Sequence, residues 1–298
     1  MHSEVVALKK QLDHAYSRNR LPVAFIDESY RAESEGFPFY LVSAVVIDFI
    51  HVAKIRDLCH KISEESWWHT TAAYQNKWTE KIEGFLGLLA KDPITNVSSI
   101  QMEIPNNNLE HARRECLHQI SKYLELLGCG LVVIEGRQSQ SARRADTSVF
   151  SVAAGQNYIS KHLKLIQSTP SVEQLLWLPD ILSWSLRRFF AVNDARWISR
   201  LDGSVSLIDG SGSQYFKSQN VISEISSKKK RPQRAAAKSC DPEKPIDSEN
   251  EGISRSSGLI MPQDFQTLQH FPQALGQVIS PPIDPATLSA WLKSRFPK

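Results

Sequence analysis

The chain opens with twenty residues of polar, helix-like spacing, then turns to short apolar runs closed by turn-forming clusters. LPVAFID (21–27) predicts a strand. After a loop rich in Glu, Ser and Gly at 31–36, FPFYLVSAVVID (37–48) predicts a second. Neighbouring strands joined by roughly ten residues predict an antiparallel hairpin. Val52, Ile55, Leu58 and Ile62 have helical spacing over 51–65. Trp78, Ile82, Phe85, Leu86 and Leu89 share one face of a helix over 76–91. WWHTT (67–71), between them, carries no clear periodicity. NVSSIQMEI (96–104) reads as a strand, and 106–128 as a helix opened by Asn and closed by Gly128. LVVIE (131–135) is apolar up to its last residue and predicts a strand covered on both faces. A helix over 148–167, a short strand EQLLWL (173–178) and a helix PDILSWSLRRFFAV (179–192) complete the series. Pro179 is then the first helical residue.

An antiparallel start followed by alternation predicts an α/β domain with a mixed sheet over 21–215, preceded by a helical extension at 1–20. From 216 to 257 large apolar residues almost vanish while Lys, Ser, Pro and Glu dominate. That stretch, with KKKRPQR at 228–234, predicts a disordered linker. The C-terminal segment, 258–298, contains DPATLSAWLKSRF (284–296), a short amphipathic helix suited to docking on a protein partner.

Composition adds limits. Of 298 residues 41% are hydrophobic, enough for a substantial core, and a net charge of +3 says little about nucleic acid by itself. Cysteines at 59, 116, 129 and 240 form no C-x-x-C pair and no zinc-ligand spacing, so they read as structural thiols. The N-terminus has no apolar signal core, and the longest apolar run (39–47) is too short to span a bilayer. A soluble, cytoplasmic protein with no membrane partner is the expectation. SLIDGSGS (206–213) lacks the Lys-Ser/Thr ending of a phosphate loop.

Three acids share one pattern. Asp27 ends the first strand, Glu135 ends LVVIE, and Asp180 stands in the first turn of a helix. Each has an ordinary reading: a turn, a solvent-facing strand end, a helix start favoured by the dipole. Together they suggest convergence. If the two strands are parallel neighbours, their ends fall on the sheet edge where α/β sites form. Clustered carboxylates repel one another, and Mg2+ or Mn2+ relieves that repulsion through hard oxygen ligands. Strand alternation puts Asp27 on the face of Val23 and Phe25 and Glu28 on the opposite face, so Glu28 is the weaker candidate. The basic residues Arg137, Arg143, Arg144, Arg187 and Arg188 suit phosphate contact, and nucleic acid (DNA or RNA) is the expected partner. Ser29 and His69 would touch the substrate or support the acids.

FIDES and FYLVSAVVID together resemble the opening of the domain-of-unknown-function 3800 family. LLWLPDILSWSLRR (175–188) is similar to the family's late strand and helix start, with Pro179 where alanine is usual. WWHTTAAY (67–74) resembles a His-containing family segment. The resemblance covers about residues 21–200. It implies a ribonuclease H-like fold: a mixed five-stranded sheet flanked by helices, its first three strands antiparallel, with acids on the first and fourth strands and a late helix. Asp27 and Asp180 match the first and last of these, and Glu135 the middle one. A further helix acid has two candidates, Glu110 and Glu115. With the three acids, the expected activity is a metal-dependent nuclease; the alternative is a binding module of the same fold without catalysis.

Overall fold

The computed structural model describes residues 2–217 except 103, 105–107, 202 and 211–214, with side chains between 5 and 210. The expected linker beyond 217 and the C-terminal segment with its amphipathic helix lie outside the described residues.

The sheet is built on β1 (Val23–Arg31) and β2 (Phe39–Ile47), an antiparallel hairpin with Asp27 opposite Ser43. All nine residues of β2 are buried, which is why FYLVSAVVI shows no polar alternation. Its serine, Ser43, meets Ser98 Oγ at 2.8 Å. Strand β3 (Ile94–Gln101) continues the antiparallel run, two residues earlier than the pattern predicts. Strand β4 (Leu131–Glu135) lies parallel to β1, with Val23 opposite Leu131 and Ile26 opposite Ile134; β5 (Lys164–Ser168) lies parallel to β4. The order β5-β4-β1-β2-β3, with the first three strands antiparallel, is the expected ribonuclease H-like arrangement. Two further strands, β6 (Val205–Asp209) and β7 (Tyr215–Lys217), enlarge the sheet to seven instead of five.

Helices cover both faces. Helices α2 (Val52–Ser63), α3 (Thr70–Gln75), α4 (Thr79–Leu89) and α7 (Trp177–Val192) belong to one face, and α1 (His2–Arg18) adds Leu12 to its core. Helices α5 (Leu109–Leu126) and α6 (Gln140–Gly155) cover the other. Val23, Phe25, Leu41 and Val45 pack with Phe85, Leu178 and Leu182, whereas Ala24, Ile26, Val42 and Val46 pack with Leu117, Ile120 and Leu124. The period-2 alternation of the strands thus feeds two cores. Each large aliphatic side chain they enclose contributes about 1.5–3 kcal/mol. Among the described residues no helix is long and apolar enough to cross a membrane.

Two predicted elements are corrected. The helix over 148–167 is two elements: α6 begins at Gln140, capped by Ser139 Oγ, and ends at Gly155, after which Asn157 takes positive φ and β5 begins at Lys164. The seven residues from Gly155 to Lys161 hold too few apolar side chains to continue a helical face. EQLLWL is not a strand. Gln174–Leu176 form a 3-10 turn running straight into α7, which starts at Trp177. Buried Glu173 nucleates that turn by accepting the Leu175 N–H at 3.1 Å, while Tyr16 and Arg56 hold its carboxylate. Pro179 is therefore the third residue of the helix, still within the first turn where a missing N–H costs nothing. WWHTT resolves into an extended stretch leading into α3.

Candidate active site

Asp27 follows the last β1 residues paired with β4, and Glu135 ends β4. Beyond the Ile26–Ile134 pair the same register sets these two acids side by side on the face of Phe25 and Val133. Helix α7 packs on that face, and Ser183 Oγ donates to the Asp27 carbonyl at 3.4 Å. One turn earlier on the same helix, Asp180 completes the group. The elements are rigid for ordinary reasons: two strands inside the sheet, and a helix whose Trp177, Leu178, Ile181 and Leu182 are buried.

The three carboxylates line a depression of about 210 Å3 together with Glu28, His69 and Arg187. Ser29 and Trp68 border it as well. One oxygen of Asp180, Oδ2, accepts two bonds, from the Thr70 N–H and the Thr70 hydroxyl, both at 2.8 Å. Thr70 Oγ1 in turn accepts the Trp68 indole N–H at 3.0 Å. This relay locks Asp180 and leaves its other oxygen, Oδ1, without a hydrogen bond from the described residues.

Among the described residues no Arg or Lys forms an ion pair with Asp27, Glu135 or Asp180. Burial, then the Asp180, Glu28 and Glu135 carboxylates, hold the Asp27 carboxyl well above the usual carboxylate range. Glu135 is pushed up to about 7 by burial, Asp180 and Glu28, with exposed His69 opposing. Asp180 is raised by burial, against the opposing pull of the Thr70 N–H and His69. Three neighbouring carboxyls raised in this way mark a site that favours a bound cation or shared protons. The donor set, hard oxygens without a guanidinium or ammonium in contact, fits Mg2+ or Mn2+. Among the described residues no three His, Cys, Asp or Glu side chains stand in metal-ligating geometry, so this is a carboxylate cluster and not a formed cage.

The predicted arginines scatter. Arg187 borders the depression while pairing with Glu35 at 3.3 Å. Arg188 points elsewhere: it binds Asp194 at 2.9 Å and covers the Tyr74 and Trp184 rings. Arg137 is bonded to Glu110 at 2.6 Å and to Asp146 at 3.2 Å. Arg143 and Arg144 line a separate groove. Neither helix candidate, Glu110 or Glu115, borders the depression; Glu28 does, while also pairing with Arg113. Sequence reasoning missed Thr70 and Trp68, whose only signal was a polar pair opening a short helix after two tryptophans.

No protein-family model and no curated protein matches this chain. Among solved structures it is similar to a Bst-RNase HIII in complex with Mn2+, at 15% identity over 62% of this chain and 57% of that one, with a TM-score of 0.32. It is also similar to a point mutant of Bst-RNase HIII, at 13% identity over 60% and 57%, with a TM-score of 0.30. The chain thus spans somewhat over half the length of these structures.

Proposed function

We propose that the protein is a metal-dependent nuclease of the domain-of-unknown-function 3800 family it resembles, cleaving phosphodiesters at the carboxylate depression. The observation that carries this reading is the convergence of Asp27, Glu135 and Asp180. They come from two parallel strands and a helix and meet on one face, and among the described residues no Arg or Lys forms an ion pair with them. These three acids would hold Mg2+ or Mn2+, which when bound activates water and stabilises the leaving oxygen. Thr70 keeps Asp180 aimed. His69, exposed at the mouth, is within reach of protons entering or leaving, and Arg187 offers a cation to the substrate phosphate.

The test uses the purified full chain with Mn2+ on single-stranded, duplex and hybrid oligonucleotides. Cleavage that survives both Asp27→Ala and Asp180→Ala unchanged defeats the site. The second reading, a binding module without catalysis, is favoured by the lack of metal-ligating geometry among the described residues. A melting temperature that Mn2+ does not move decides for it.

A further inference from the structure

Arg143 and Arg144 differ from the other arginines the sequence singles out. Arg137, Arg187 and Arg188 are tied to carboxylates. Among the described residues neither the Arg143 nor the Arg144 guanidinium forms an ion pair. Both stand on α6 and line a shallow groove of about 510 Å3 with Gln140, Thr147, Ser151 and Gln167. Spacings of three and four residues set the α6 members on one face of the helix. Every lining residue is a cation, an amide or a hydroxyl, and none is an acid. The groove is a built surface: Gln167 on β5 donates from its amide to the Arg143 carbonyl at 2.7 Å, fastening helix to strand.

Its position relates it to the carboxylates. Gln167 precedes Ser168, the register partner of Glu135. The next residue after Glu135, Gly136, donates its N–H to the Ser168 carbonyl at 2.8 Å, and a Cβ built on it would lie 3.8 Å from Arg143 Cδ. The acids reach this sheet edge from the α7 face and the groove reaches it from the α6 face. Gly136 leaves the crest between them without a side chain. From β1 to β5 is two interstrand spacings, roughly 10 Å. A mononucleotide fills one depression; only an extended chain of phosphates occupies both.

We propose that this groove seats the phosphate backbone of a single-stranded nucleic acid, which crosses the Gly136–Ser168 crest to bring another of its phosphates over the carboxylates. The proposal rests on reading the depression as a phosphodiester site and adds the path of the substrate. Unpaired guanidiniums give bidentate phosphate contacts, and the hydroxyls and amides add neutral ones that read no base.

Binding of labelled single strands of about 4 and about 12 nucleotides to the full chain in EDTA tests it, since nothing is then cleaved. The longer strand should bind wild type roughly tenfold more tightly than the shorter. The double variant Arg143→Ala/Arg144→Ala should lose most of that gain. It should also flatten the salt dependence by about 1.4 in log–log slope, at roughly 0.7 per lost contact. KKKRPQR is present in both proteins, so the difference reports the groove. Thr147→Glu, which sets a negative charge among the contacts, should weaken the longer strand in the same way should the double variant misfold. Folded variants that bind the longer strand like wild type, with the same salt slope, overturn the proposal. A wild type whose groove binds but which cleaves nothing with Mn2+ defeats the nuclease reading and leaves the groove standing. Cleavage lost in Asp180→Ala, beside binding indifferent to the groove variants, does the reverse.

Discussion

Asp27 and Glu28 are neighbours on one strand, yet they belong to opposite electrostatic settings. Asp27 joins Glu135 and Asp180, acids whose proton affinity burial raises, with neighbouring carboxylates adding to it at Asp27 and Glu135. Glu28 borders the same depression but has a counterion: it pairs with Arg113, whose side chain is 1% exposed. Arg113 also grips Asp146 at 2.8 and 2.9 Å and donates to the Tyr40 hydroxyl at 3.1 Å; Arg137 extends the chain to Glu110. One cluster is satisfied within the fold and the other is not. A buried charge with matched partners holds a structure together, whereas converging acids without a partner destabilise it unless something binds. That difference, more than the number of acids, separates the candidate site from the scaffold.

Breaking each cluster should therefore give opposite results. Asp27→Asn or Asp180→Asn should lower Mn2+-dependent cleavage on the order of 10³-fold or more. The same Asp27→Asn change should raise the melting temperature of the metal-free protein by relieving repulsion. Glu28→Gln should do the converse, costing stability first and activity much less. Paired kinetic and melting measurements decide, and a folded Glu28→Gln protein as inactive as Asp27→Asn would merge the two clusters into one.

Arg113→Met should cost about 3–5 kcal/mol in urea unfolding, because it takes from Glu28 its ion-pair partner and leaves buried Asp146 only the more distant Arg137. A cost below about 1 kcal/mol would mean the compensated cluster is not what holds α5 to α6 and β1.

Thr70→Val removes one donor to Asp180 and the acceptor of the Trp68 N–H. It should cost about 1–3 kcal/mol and weaken Mn2+ binding, read by titration calorimetry. Unchanged metal affinity would show that Asp180 is aimed by its helix alone.

The smallest effect is on pH. In the unfolded chain Glu135 has its ordinary value of 4.5, and in the fold it is held at about 7. Between these values the folded state binds more protons than the unfolded one. Stability of the metal-free protein therefore falls as pH rises through this window. Solvent reaches this carboxyl, so the loss is about 1 kcal/mol, a few degrees of melting temperature. Saturating Mn2+ should reverse the slope, because the metal binds the ionised acids. Melts at about pH 5 and about pH 8, with and without Mn2+, measure both signs.

Much of the fold is legible in the chain because its signals are local. FYLVSAVVI announces a strand, LVVIE one covered on both faces, and the alternation in VAFID assigns Asp27 and Glu28 to different faces. The helix over 109–126 is marked by its Asn108 cap, which accepts the His111 N–H at 3.0 Å, and by Gly128 at positive φ. The missed elements lack such signals. KLIQS is five residues long and partly polar, so only its pairing with β4 makes it a strand. EQLLWL has strand-like composition, and only Glu173, held by residues more than a hundred positions away, turns it into a helix entry.

The same division runs through the site. By itself the sequence determined that Glu135 ends a strand and Asp180 opens a helix, because caps, turns and periodicity are written in neighbouring residues; Asp27, expected to end its strand, stands in the middle of β1, which pairing with β2 carries on to Arg31. It also determined that Asp27 and Glu28 diverge, because strand alternation is a property of the backbone. Only the tertiary structure decided which charges are neutralised. That Arg113 reaches Glu28 and Asp146, that Arg188 covers the Tyr74 ring, and that among the described residues Arg143 and Arg144 meet no acid all depend on how segments far apart in the chain come together. Ion pairing depends on distance and solvent exclusion, and neither exists until the sheet and its two helical layers have closed.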